Sequence, residues 1–92
     1  MIDGNPNEFI EGLHYGDERF FILDGVKYLV QGYSVNGKPT IILYALSPED
    51  KCFDWEVSSN DNNYPVEEFE KAKIFNGKSF WEVEKDIQWV DD

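Results

Sequence analysis

The sequence predicts a single α+β domain over residues 1–92: a four-stranded antiparallel meander with a short N-terminal helix and two C-terminal helices packed on one face. Three observations carry this expectation. Residues 19 to 46 are rich in β-branched and aromatic side chains, a texture suited to a pleated surface. Asp24-Gly25 and Asn36-Gly37 punctuate that stretch, and both dipeptides accept the two positive-φ positions of a type I′ hairpin turn. Apolar residues recur at helical spacing before the stretch and after it.

The first element opens at Asn5-Pro6-Asn7-Glu8, where proline suits the first helical position, and Phe9, Ile10 and Leu13 then form one face before Gly16. Gly12 weakens this helix. Three strands follow between Arg19 and Leu46, with Gly32 marking a bulge. Ser47-Pro48-Glu49-Asp50 reads as a turn, and Cys52-Phe53-Asp54-Trp55-Glu56-Val57-Ser58 alternates as a fourth strand with Phe53, Trp55 and Val57 on one side. Residues 58 to 63 are polar and form a loop. Pro65 opens a helix with Val66, Phe69 and Ala72 or Lys73 on one face, a Glu67–Lys71 pair along its side, and Asn76-Gly77 as its stop. Ser79-Phe80-Trp81-Glu82 has the spacing of a capping box, so a last short helix carries Phe80, Val83 and Ile87 inward, with Trp89 and Val90 at the edge of the core.

Two-residue turns also fix the register, because cross-strand partners share a face. Phe21, Leu23, Val26, Tyr28, Val30, Ile41, Leu43 and Ala45 fall together and are almost wholly apolar, which makes theirs the face that the helices cover. The opposite set mixes Phe20, Ile22, Lys27, Leu29, Gln31, Tyr33, Val35, Lys38, Thr40, Ile42, Tyr44 and Leu46. Two or three short helices cover one face of a four-stranded sheet, and covering both would leave little helix surface over, so this second face is expected to be partly open. Leu29, Gln31, Tyr33, Thr40, Ile42 and Tyr44 are its candidate binding residues, since contiguous apolar surface marks interaction sites and tyrosine gives contact area at low entropic cost. The competing reading of the same residues is ordinary cross-strand packing.

Eight basic against nineteen acidic residues give a net charge of −11, which argues against direct binding to nucleic-acid phosphates or an anionic membrane. The imbalance is concentrated late: residues 1–46 hold three basic and six acidic side chains, residues 47–92 five and thirteen. Glu67, Glu68, Glu70, Glu82, Glu84 and Asp86 thus compose a candidate acidic face on the helices, against the simpler reading of a solvated exterior. With one cysteine, Cys52, no internal disulfide forms. The first residues lack a basic start followed by an apolar stretch, and the longest apolar run, Ile41 to Leu46, is far below the roughly 20 residues of a membrane span. A cytoplasmic protein, monomeric or weakly dimeric, is the expectation.

The inventory for catalysis is thin. His14 follows the first helix and reads as a capping or packing residue, and Lys51 alone does not activate Cys52. No cysteine pair or His-Glu-x-x-His motif implies a metal, the Asn60-Asp61-Asn62-Asn63 loop lacks the spacing of a calcium loop, and no glycine-rich phosphate loop implies a cofactor.

The stretches 74–83 (IFNGKSFWEV) and 21–28 (FILDGVKY) resemble short acidic proteins of Gram-positive bacteria and their phages or mobile elements, a group with no established activity. The resemblance rests on turns and caps and implies no catalytic residue. The reading that follows is a non-enzymatic adaptor, inhibitor or immunity-like protein that binds another protein, one of neutral or basic character, through the sheet face or the acidic helices. The alternative is a nucleic-acid mimic whose carboxylates occupy a basic channel, with Lys71, Lys73 and Lys85 interrupting the charge run. An enzyme would need His14 from two chains at a shared interface.

Overall fold

Three tight turns organise the chain. In the computed structural model, which describes residues 1–90, Asp24 and Gly25 have φ of 50° and 77°, Asn36 and Gly37 52° and 79°, and Asn76 and Gly77 55° and 81°. All three pairs therefore occupy the left-handed region that a type I′ turn demands. The first two produce the expected hairpins. Strands β1 (Arg19–Leu23), β2 (Val26–Val35), β3 (Lys38–Ser47) and β4 (Phe53–Ser58) run as an antiparallel meander. Leu23 lies opposite Val26 and Val35 opposite Lys38, as two-residue turns require.

The sheet has five strands rather than four, in the order β4-β3-β2-β1-β5. The addition is β5 (Gln88–Val90), antiparallel to β1 with Phe21 opposite Trp89. Three residues are too few to establish an alternation, so only the pairing identifies them as a strand. Ile2 docks beside β5: its N–H donates to the Ile87 carbonyl at 2.8 Å and its carbonyl accepts from Trp89 N–H at 2.9 Å. One edge of the sheet is thereby covered, while β4 forms the other edge.

Helix α1 (Pro6–Leu13) starts where Asn5 Oδ1 accepts from the backbone N–H of Asn7 at 2.9 Å and of Glu8 at 3.3 Å. Helix α2 (Val66–Lys71) is shorter than its sequence pattern implies. It ends at Ala72, whose backbone is extended, so Asn76-Gly77 does not stop it. That dipeptide instead turns a miniature hairpin in which Phe75 and Lys78 exchange backbone bonds of 3.0 and 3.1 Å. The hairpin presses Phe75 into the core against Tyr28 and Phe21, with ring centroids 5.5 and 6.1 Å apart. Helix α3 (Phe80–Val83) continues as a 3-10 turn, Glu84–Asp86, and Phe80, Val83 and Ile87 are all buried. At its start the Glu82 carboxylate accepts from both the N–H (3.0 Å) and the hydroxyl (3.1 Å) of Ser79.

The core is one cluster between the helices and a single face of the sheet. All eight side chains of the apolar set are buried, together with Phe9 and Leu13 of α1, Val66 and Phe69 of α2, Phe80 and Val83 of α3, and Ile87. Phe9 is the hub. It stacks on Phe80 at 5.1 Å and meets Phe21 and Trp89 edge-on at 5.8 and 6.0 Å. Such ring pairs add about 0.5–1.5 kcal/mol each beyond the area they bury, which helps a chain of this size to hold together without a crosslink.

Two glycines have a packing role. Gly32 is in regular register opposite Ile41, so it does not mark a bulge. A Cβ there would lie 2.6 Å from the Gly16 Cα and 2.7 Å from the Tyr64 ring, and Gly32 N–H donates to the Gly16 carbonyl at 3.3 Å. The missing side chain lets the α1–β1 connection and Tyr64 close over β2. The register shift lies instead between Lys27 and Tyr28, which face Ser47 and Ala45, making Leu46 the extra residue. Leu46 is correspondingly 40% exposed.

Candidate functional site

Among the described residues no helix contributes to the second face of the sheet: the inward residues of all three helices belong to the cluster on the first. The second face is built by alternation alone. From β4 to β5 it presents Asp54, Glu56 and Ser58, then Thr40, Ile42 and Tyr44, then Lys27, Leu29, Gln31, Tyr33 and Val35, then Phe20 and Ile22, then Gln88 and Val90.

A long contact crosses it. The Tyr33 hydroxyl on β2 donates to Glu56 Oε2 on β4 at 3.4 Å, although β3 lies between them. Two strand spacings are about 9–10 Å, so both side chains must lean over β3 to meet. Thr40 and Ile42, the β3 residues opposite Tyr33 and Glu56, are consequently buried at 0 and 6% exposure. Thr40 is also tied down: its hydroxyl donates to the Lys38 carbonyl at 3.1 Å and shares a 2.9 Å bond with Ser58 Oγ. Of the six candidate residues, Leu29, Gln31, Tyr33 and Tyr44 are half-buried and reach solvent, while Thr40 and Ile42 form the floor beneath them. The open area is therefore smaller than the sequence pattern alone implies.

The face is electrically divided. On the β4 side, Tyr44 stands opposite Asp54, and Tyr33 has its phenol pKa raised above 10.0, first by desolvation and then by the charge of Glu56. On the β1–β2 side the Lys27 ammonium lies over the Phe20 ring at 5.1 Å, beside Ile22, which is 37% exposed. Carboxylates thus edge the tyrosines on one flank, with a cation on the other.

The six acidic residues of the helical half have different surroundings. Glu70 accepts from the Trp81 indole N–H at 2.7 Å, Glu82 pairs with Lys73 at 2.7 Å, and Glu84 binds the Met1 ammonium at 2.6 Å. Lys73–Glu82 joins the segment after α2 to α3, where the sequence predicts an ion pair within α2, Glu67 to Lys71. Asp86 is exposed. Glu67 and Glu68 line an open groove of about 890 Å³ between α2, the end of β4 and the loop of residues 58–63, with His14, Val57, Asp61 and Tyr64 on its other walls. In that loop Asp61 Oδ1 accepts from the Ser59 hydroxyl at 2.6 Å and from Asn63 N–H at 2.8 Å, which lowers its pKa, the Ser59 bond contributing most. Sequence reasoning missed this groove, because nothing in a linear pattern places the end of β4 beside α2.

His14 is the exposed C-cap of α1, and the exposed Cys52 thiol donates to the Leu46 carbonyl at 3.2 Å. Among the described residues no three His, Cys, Asp or Glu side chains are grouped to hold a metal ion, and no helix is long and apolar enough to cross a membrane. The chain matches no protein-family model, no curated protein and no solved structure.

Proposed function

We propose that this chain is a non-enzymatic binding module that engages a protein partner through its open sheet face, with Tyr33, Tyr44, Leu29 and Gln31 as the contact residues and Asp54 and Glu56 selecting a basic counterpart. The observation that carries this reading is the Tyr33–Glu56 contact over β3, which holds an aromatic ring and a carboxylate on a rigid strand surface that no helix covers. Aromatic side chains fixed at little entropic cost, rimmed by charge, are what protein interfaces concentrate.

The alternative, a nucleic-acid mimic built from the acidic helices, has less support. Glu82 and Glu84 are paired with Lys73 and the Met1 ammonium, so two of the six proposed phosphate surrogates have their charge offset by internal cations.

The two readings separate by capture from a bacterial lysate on immobilised protein, comparing the parent chain with Tyr33→Ala/Tyr44→Ala and with Glu67→Lys/Glu68→Lys. A partner lost with the tyrosine pair and kept with the glutamate pair supports the sheet face; the reverse pattern refutes it. Calorimetry with the purified partner then measures the loss.

A further inference from the structure

We infer that the partner enters as an extended basic segment that adds a sixth strand along the free edge of β4. This inference rests on the sheet-face reading and specifies the mode of contact. Ser59 N–H donates inward to the Pro39 carbonyl at 2.9 Å. In an antiparallel ladder that orientation recurs at every second residue, so Val57, Trp55 and Phe53 point their backbone groups at β3, while Ser58, Glu56 and Asp54 point theirs away from the sheet. Among the described residues none of these outward N–H and C=O groups has a hydrogen-bond partner. The opposite edge differs: β5 is three residues long and Ile2 bridges to it. The two edges are therefore not equivalent, and β4 is the one able to accept a strand.

The side chains along β4 define what that strand must carry. Asp54 and Glu56 stand on the open face, where a directly opposed carboxylate would be repelled and a lysine or arginine attracted. A second copy of this chain pairing β4 with β4 would bring these carboxylates together, so the same charges that bar self-association admit a cationic strand. On the core side Phe53 is 40% exposed and Trp55 and Val57 are half-buried, which leaves apolar surface for alternate residues of the incoming segment. Beyond Val57 the edge runs into the groove carrying Asp61, Glu67 and Glu68, whose lining includes no lysine or arginine. Edge and groove favour the same ligand: an extended peptide alternating Lys or Arg with Val, Ile or another apolar residue.

The test uses a short blocked peptide alternating lysine and valine, titrated into the nitrogen-15-labelled protein at millimolar concentration. The controls are the same peptide N-methylated on alternate residues, which cannot hydrogen-bond along one edge, and a glutamate–valine analogue. Expected is slowed hydrogen exchange at the amides of Asp54, Glu56 and Ser58 with the lysine peptide alone. Asp54→Lys/Glu56→Lys should weaken its binding by about fivefold per reversed charge, the equivalent of a strong cross-strand pair. Unchanged exchange at these three amides overturns strand addition. If Tyr33 and Tyr44 resonances shift while the amides stay unprotected, the face reading survives and the strand inference falls. If neither set responds, strand addition by a basic segment is also refuted, and the lysate capture independently decides the face.

Discussion

The Tyr33 hydroxyl meets Glu56 Oε2 at 3.4 Å across the full width of β3, and this one contact both roofs Ile42 and shapes the open face. Its electrostatics are measurable. Desolvation and the Glu56 charge both disfavour the phenolate, so Tyr33 titrates above 10.0, and Glu56→Gln should bring its pKa down without returning it fully to that value, since the desolvation remains. A carbon-13 ring titration of the two proteins measures the difference; identical curves would mean that the contact does not persist in solution.

Core and face residues should separate sharply on truncation. Phe9, fully buried among four rings, should lose about 3–5 kcal/mol as Phe9→Ala, whereas Tyr44→Ala should lose about 1 kcal/mol or less, the scale of a cross-strand pair. Urea denaturation gives both values. A Tyr44 loss matching that of Phe9 would place Tyr44 in the core and remove the open face.

Gly32→Ala should destabilise more than Gly37→Ala. The first puts a Cβ 2.6 Å from Gly16 Cα, an overpacking worth about 1–3 kcal/mol or more because the obstacle is backbone. The second meets nothing within 4 Å and costs only its φ of 79°, about 1 kcal/mol. Denaturation midpoints should follow that order, and the opposite order would contradict the close approach of the α1–β1 connection to β2.

The Lys73–Glu82–Ser79 contact should show as acid sensitivity. The Lys73 ammonium first, then the Ser79 N–H and hydroxyl, lower the Glu82 carboxyl from 4.5 to about 2. A carboxylate with a depressed folded pKa stabilises above its unfolded value and loses that contribution as pH falls through the folded one. Glu82→Gln should therefore melt below the parent at pH 7, with the gap narrowing between pH 4.5 and about 2. Side chains this exposed are screened, so added salt should also shrink the gap. A gap independent of pH would assign the effect to the cap's geometry instead of its charge.

Local chemistry made much of this fold legible. A residue pair such as Asn36-Gly37 tolerates positive φ twice in succession, and that alone sets the strand partners and hence the face of every side chain from Phe21 to Ala45. The same local rule misassigned Asn76-Gly77, since a left-handed pair serves equally as a helix stop and as a hairpin tip; what separates them is whether Phe75 has a pocket to fill. Likewise Gly32 reads as a bulge or as a site of close approach until Gly16 and Tyr64 are known to lie against it.

By itself, then, the sequence determined the turns, the register and the identity of the two sheet faces, because these follow from backbone sterics and a two-residue period. Only the tertiary structure decided which edge is closed by Ile2 and β5, how Tyr33 and Glu56 roof β3, and that Glu67 and Glu68 share a groove with Asp61. Those relationships join residues far apart in the chain, and their geometry is set by how the helices seat on the core rather than by the preference of any neighbouring residue.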